Sequence, residues 1–147
     1  MTDTHLAILL DRFVRRLHVA LRRKAPDFDK ARVGPGGAII LLTLDDLGSV
    51  PLSELTHHLV RDKSQMTREV RALESKGLIE RAQSDQDLRV SVMSLTEKGQ
   101  SFVADVQRAL AETIDEVLHP LSDDRKRDLT AILQSVDALS ASDRQKP

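Results

Sequence analysis

The stretch "DKSQMTREVRALESKGLIERAQSDQDLRVSVMSLTEKG", residues 62–99, changes its hydrophobic period part of the way along. Its first half places Met66, Val70 and Leu73 four and three residues apart, the spacing of one face of an α-helix. Its last third alternates apolar and polar residues in "VSVMSL" after a polar turn, the pattern of a β-hairpin. The sequence therefore predicts a helix over 63–76 that is followed directly by a hairpin.

The ends of this helix carry residues that usually start and stop one. Asp62 is a good N-cap, and Gln65 follows three residues later, as in a capping box. Gly77 suits the left-handed position just after a helix. For the hairpin we expect strands over 78–83 and 89–94, joined by a polar turn.

Two further helices are predicted upstream of this stretch. Residues 38–47 are strongly apolar, so this helix should be largely buried. A short helix is expected over 52–59, with its leucines facing inward. Helix, short helix, helix and hairpin in this order define a winged helix-turn-helix, so we expect a mainly α protein with a small β-hairpin (α+β).

Both ends of the chain carry helices with long apolar stripes. Thr4 should cap the first helix and Pro26 should stop it, while Thr96 and Ser122 should cap the two C-terminal helices. The last residues, 140–147, should be frayed. Such stripes can pair within one chain or with a second copy. The residues expected to serve dimerisation are Leu6, Leu10, Phe13, Leu17, Val117, Leu121, Leu129, Leu133 and Val136.

This pattern predicts three parts. Residues 1–32 form an N-terminal dimerisation helix, residues 33–95 a winged helix-turn-helix lobe, and residues 96–147 the C-terminal dimerisation helices. The central lobe has enough apolar residues for its own core, whereas the outer helices flank it in sequence.

The outward face of helix 63–76 has the chemistry of DNA recognition. Arginine reads guanine and glutamine reads adenine in the major groove, while hydroxyls and lysine reach phosphates. Arginines on a helix can also form a merely solvated face, and the neighbouring short helix and hairpin favour DNA binding. The candidate DNA-binding residues on this face are Lys63, Ser64, Gln65, Thr67, Arg68 and Arg71.

Composition excludes several other classes. The 147-residue chain has no cysteine, which excludes disulfides and thiolate catalysis. No apolar run is long enough to span a membrane, and the polar N-terminus lacks a secretory signal, so the cytoplasm is the expected compartment. The net charge is −1, but residues 61–76 hold five basic against three acidic side chains, a local basic patch.

The segment "SELTHHLVRDKSQMTREVRALESKGLIERAQSDQDLRVSVMSLTEKGQ", residues 53–100, resembles the DNA-binding lobe of the MarR family of bacterial transcription regulators. Its most diagnostic part is Asp87-x-Arg89 followed by Leu95-Thr96-x-x-Gly99. The resemblance implies a homodimeric repressor on a pseudo-palindromic double-stranded operator, often released by a small organic effector. It also implies that Arg89 enters the minor groove and that Asp87 orients it.

Six positions depart from the pattern of that family, and four of them concern the turn and the wing. Val60 stands where a turn glycine is frequent, and Arg61 where an apolar residue is usual. In the wing, Ser84 replaces an acid and Leu88 replaces a basic residue. The turn geometry and the phosphate contacts of the wing should therefore differ from those of relatives.

Other functions have weaker sequence support. His57 and His58 point about 100° apart on a helix, so they make no ligand pair, and no metal site or cofactor is expected. No catalytic motif indicates an enzyme. An effector could place its carboxylate near Arg15 or His18, although a regulator without an effector is equally open. The alternative function is a winged-helix module for protein interaction or DNA architecture, without a small-molecule inducer.

Overall fold

The computed structural model describes residues 2–143, with side chains placed through residue 138. The helices are α1 Thr4–Phe28, α2 Gly34–Leu47, α3 Leu52–Leu59, α4 Lys63–Ser75, α5 Glu97–Val117 and α6 Asp123–Asp143. The strands are β1 Val50–Pro51, β2 Ile79–Gln83 and β3 Ser91–Leu95. The chain divides into two compact units, Met1–Ala111 and Glu112–Pro147. No described helix is long and apolar enough to cross a membrane.

The first unit has one hydrophobic core, to which α2, α3, α4 and β3 contribute. Its fully buried side chains (0% exposed) are Ile40, Leu41, Leu55, Met66, Val70 and Met93. Burying one such side chain contributes about 1.5–3 kcal/mol, so these positions hold the three helices against the sheet. The predicted burial of the apolar second helix and of the inner face of helix 63–76 is confirmed.

The ends of α4 are fixed by hydrogen bonds. The Asp62 carboxylate accepts from the Gln65 backbone N–H at 3.2 Å, which confirms the predicted N-cap. At the other end Gly77 has a φ of +73°, and the Leu78 N–H donates to the Leu73 carbonyl at 3.0 Å. This closing motif turns the chain directly into β2. The capping box is not completed, because the Gln65 side chain bonds Glu69 instead.

The small sheet has three antiparallel strands in the order β1-β3-β2. The sequence predicts only the β2–β3 hairpin. The additional pairing of Val50 with Met93 falls on a two-residue strand whose second residue is a proline, and this strand is too short to show alternation. The second hairpin strand begins at Ser91 rather than at residue 89, so Arg89 lies in the loop and not in the strand.

Two expectations about α1 are wrong. Asp3, not Thr4, caps it, with its carboxylate 3.0 Å from the Leu6 N–H. Pro26 lies inside the last turn and does not end the helix. A proline so near the end removes only one hydrogen bond while its fixed φ suits a helix, and the Asp29 N–H closes the turn on the Ala25 carbonyl at 2.7 Å.

The start of α5 is tied to the end of α4. Thr96 caps α5 as expected, since its hydroxyl accepts from the Gly99 N–H at 3.0 Å and donates to the Gly77 carbonyl at 2.6 Å. A Cβ on residue 99 would lie 2.1 Å from the Leu78 carbonyl oxygen, so this close approach requires glycine. Helix α6 begins after Ser122, as expected, and continues through Asp143, so residues 140–143 are helical. The rest of the predicted frayed tail, 144–147, lies outside the described residues.

Candidate nucleic-acid interface

Helix α4 has one buried and one exposed face. Met66, Val70 and Leu73 are at most 3% exposed and anchor the helix in the core. The opposite face holds the predicted DNA-binding residues, which the fold brings together along one helix. Of these, Lys63, Ser64, Gln65, Arg68 and Arg71 are exposed, and Thr67 is half-buried.

The arginines of this region fall into two groups. Arg61 is ion-paired with Glu69, and Arg81 with Glu74 at 2.9 Å. By contrast, within the described part of the chain, neither Arg68 nor Arg71 has an ion-pair or hydrogen-bond partner for its guanidinium. Both are therefore available to an external anion or base edge.

The polar uncharged residues of the face are partly engaged within the helix. The Thr67 hydroxyl donates to the Lys63 carbonyl at 2.9 Å, which leaves its oxygen free to accept. The Gln65 amide donates from Nε2 to Glu69 Oε1 at 3.3 Å. The Thr67 hydroxyl can therefore still accept a hydrogen bond, and the orientation of the Gln65 amide is set by its bond to Glu69. Both side chains present polar groups of defined orientation to a DNA groove.

The wing loop presents Arg89 at its tip, next to Asp87. The Asp87 Oδ1 atom accepts from the Arg89 backbone N–H at 3.0 Å and from its Nε at 3.2 Å. The Arg89 side chain is nevertheless 92% exposed. Ser84, which replaces an acid, still accepts from the Gln86 N–H at 3.2 Å. The departure at Ser84 therefore keeps a hydrogen bond that stabilises the turn.

The turn between α3 and α4 contains a feature that sequence reasoning noted only as a departure. Val60 is left-handed, with φ and ψ both 50°, and is 90% exposed. A β-branched residue in this conformation is strained by about 1–3 kcal/mol. Arg61 then turns inward, and its Nη1 donates to Glu69 and to the Gly36 carbonyl, the latter at 3.4 Å. The Arg61–Glu69 pair was missed, because eight residues in sequence separate its partners.

The predicted dimerisation residues of α1 carry much exposed apolar surface. Leu6 is 52% and Leu10 54% exposed, while Phe13 and Leu17 are half-buried. No residue of α1 is fully buried. Apolar residues of α1 outside the predicted stripe are exposed as well. These are Ile8, Leu9, Val14 and Val19.

The C-terminal residues predicted for dimerisation are also only partly covered. Leu121 is 37%, Leu133 56% and Val136 54% exposed, and Val117 and Leu129 are half-buried. Ile132 on the same helix as Leu133 is 60% exposed. Helix α6 therefore also presents apolar surface.

The structure gives the two suggested effector residues no direct support. Arg15 is ion-paired with Asp11 at 2.6 Å, and His18 is exposed. A shallow depression lies instead at the end of α1, and neither of them lines it. Its lining residues are Arg22, Ala25, Pro26, Asp29, Lys30 and Arg32. Across the described residues, no group of three His, Cys, Asp or Glu side chains could hold a metal ion.

Sequence comparisons identify a matching family and similar regulators. The sequence model described as "MarR family" matches residues 38–91. The chain is 30% identical over 96 residues to the uncharacterized HTH-type transcriptional regulator YxaD of Bacillus subtilis, covering 65% of this chain and 67% of that protein. It is 32% identical over 99 residues to the transcriptional repressor MprA of Escherichia coli, covering 67% of this chain but only 56% of MprA.

The fold is shared with solved structures. The crystal structure of wild-type MarR (apo form) from E. coli matches with a TM-score of 0.75 at 19% identity, covering 92% of this chain and 97% of that one. The matching family model and the named repressor MprA are those of DNA-binding transcription regulators rather than enzymes, and this is the class to which the chain is assigned. The chain belongs to the MarR family.

Proposed function

We propose that this protein binds a pseudo-palindromic operator as a homodimer and acts as a ligand-responsive repressor. Each subunit lays α4 in a major groove and places the wing loop over the adjacent minor groove. Lys63, Ser64, Gln65, Thr67, Arg68 and Arg71 meet the major groove. Arg89 enters the minor groove, and Asp87 holds its side chain extended, which lowers the entropy lost on binding.

The observation that carries this proposal is the unpaired state of Arg68 and Arg71. Neighbouring Arg61 and Arg81 have carboxylate partners, so this region is not short of acids. Among the described residues the two outward arginines have none. Paired guanine atoms and phosphates are the partners that suit a guanidinium fork. A similar fold occurs in a mutant of S. aureus MepR bound to an oligodeoxyribonucleotide, with a TM-score of 0.62 and 19% identity.

Dimerisation is supported by the apolar surface of α1 and α6. Six large apolar residues of α1 are at least 44% exposed, and extensive exposed apolar surface usually marks an interaction site. A second copy of the chain, carrying the same surface, could cover it by two-fold symmetry. Two-fold symmetry would set the half-sites about 10 base pairs apart, one turn of duplex.

The proposal of repression and of effector control is supported by what similar proteins do. MprA is named a repressor, and the structure of BpsR from Bordetella bronchiseptica concerns regulation of DNA binding by 6-hydroxynicotinic acid. For this chain, a small organic acid held near Arg15 or His18 stays a hypothesis. Action on an operator would place the protein with the chromosome in the cytoplasm.

In vitro selection from random duplexes tests the proposal. We expect the purified protein to enrich an inverted repeat whose half-site centres lie about 10 base pairs apart. Enrichment of no duplex at low salt would contradict DNA recognition and favour the protein-interaction alternative. Enrichment of a single half-site would support DNA binding but contradict binding as a homodimer.

A further inference from the structure

A series of polar contacts connects the base of α4 with its exposed face. It begins at the Gly36 carbonyl on α2, which accepts from Arg61 Nη1 at 3.4 Å. Arg61 is ion-paired with Glu69 through Glu69 Oε2. The other carboxylate oxygen, Oε1, accepts from Gln65 Nε2 at 3.3 Å. The two oxygens of Glu69 therefore face different partners, one in the interior and one on the DNA-facing side.

The Arg61–Glu69 pair is well placed to hold the carboxylate still. Its side chains are only 18% and 26% exposed, so the pair is shielded from water more than the wing pair of Asp87 and Arg89. Charge-assisted hydrogen bonds of this kind are about twice as strong as neutral ones. Glu69 thus reaches Gln65 from a fixed position.

A fixed carboxylate determines which way the Gln65 amide faces. An ionised carboxylate accepts hydrogen bonds and donates none, so the amide nitrogen must face Glu69. The opposite orientation would bring the amide oxygen against a carboxylate oxygen, which is repulsive. Gln65 therefore keeps its carbonyl oxygen and its second N–H for an external partner.

We propose that Glu69, held by Arg61, is a positioning residue that makes Gln65 select adenine over guanine. An acceptor beside a donor matches adenine N6 and N7, whereas guanine O6 and N7 require two donors. The inference rests on the proposed function, in which α4 enters the major groove. It assigns a specificity role to Arg61 and Glu69, neither of which needs to touch DNA.

The Glu69→Gln variant tests the inference, because a glutamine side chain at this position can accept or donate and so permits both orientations of Gln65. Duplex selection with Gln65→Ala first identifies the base pair that Gln65 reads. At that base pair, we expect Glu69→Gln to lower the preference for adenine over guanine about three- to ten-fold. Preferences at the other positions should not change.

The matched control is Glu74→Gln. Glu74 lies on the same helix and is 28% exposed, and its carboxylate pairs with Arg81 rather than with Gln65. We expect Glu74→Gln to leave every base preference intact. Melting temperatures of both variants separate specificity from stability.

The double variant Arg61→Met with Glu69→Leu keeps the test decisive if Glu69→Gln folds poorly. Replacing a buried ion pair by apolar residues is often neutral for stability, yet it removes the carboxylate. We expect a folded protein with the same relaxed base pair as Glu69→Gln.

Three results would overturn the inference while leaving DNA recognition intact. The first is an unchanged preference for adenine over guanine in Glu69→Gln or in the double variant. The second is a uniform loss of affinity on all duplexes, which would indicate a purely structural pair. The third is a Gln65→Ala variant that relaxes no base pair. Failure of the unaltered protein to select any duplex would instead contradict the proposed function itself.

Discussion

Helices α1 and α4 both combine apolar and basic residues, yet the fold uses them in opposite ways. In α4 the stripe of Met66, Val70 and Leu73 is buried, and the polar face is what remains for a partner. In α1 none of 25 residues is fully buried, and Leu10 is 54% exposed. Helix α4 therefore suits a polyanion, whereas α1 suits another apolar surface.

A charge placed on the apolar surface of α1 should have the largest effect. We expect Leu10→Asp to produce a monomer and to lower operator affinity by about 100-fold or more, because the second half-site loses its high effective concentration. Sedimentation velocity and duplex titration measure both effects. Leu88→Asp is the control for oligomeric state, since Leu88 is 70% exposed on the wing. A Leu10→Asp dimer as stable as the unaltered one would contradict the role of α1.

The next effect concerns the exposed face of α4. Arg68→Ala and Arg71→Ala should each lower operator affinity about 5- to 100-fold and relax the preference at one base pair, as loss of a bidentate base contact does. Arg81→Ala, which removes an arginine already paired with Glu74, should change affinity little. If a variant weakens all duplexes equally, its arginine is a phosphate contact.

An effect of similar size is expected at the wing. Arg89→Ala should weaken operator binding by about 1–3 kcal/mol without lowering the melting temperature, because the side chain is 92% exposed. Isothermal titration and thermal melting check the two parts. Unchanged operator affinity would contradict a minor-groove contact by Arg89.

The smallest effect is on stability. Val60→Gly should raise the free energy of unfolding by about 1 kcal/mol, because it relieves the left-handed strain at a residue that is 90% exposed. Operator affinity should stay within about two-fold, since the turn keeps its shape. A lower melting temperature would show that this conformation is not strained.

Much of the lobe could be predicted because local patterns agree with its tertiary fold. Met66, Val70 and Leu73 have helical spacing, and Asp62 and Gly77 mark the ends of that helix. The third strand could not be predicted, because Val50 pairs with a residue far along the chain and its strand has two residues. The rule that a proline ends a helix also fails at Pro26, because α1 can accommodate a proline within its last turn.

The sequence indicated which residues share the exposed face of α4, but not how their side chains are paired. Residue types and spacing placed Arg68 and Arg71 on one face. Which arginines stay unpaired depends on contacts distant in sequence, such as Arg61 with Glu69. The same holds for the orientation of Gln65, which no periodicity encodes.

Recognition of duplex DNA by the exposed cationic side chains of α4 and the wing is tested most directly by the salt dependence of binding. Operator binding by the unaltered protein is measured over a range of salt concentrations, beside binding to a scrambled duplex. We predict a slope of log K against log salt of about −4 or steeper, because each phosphate contact adds about −0.9, with the operator bound more tightly throughout. A slope near zero, or equal affinity for both duplexes, would contradict DNA recognition by this face.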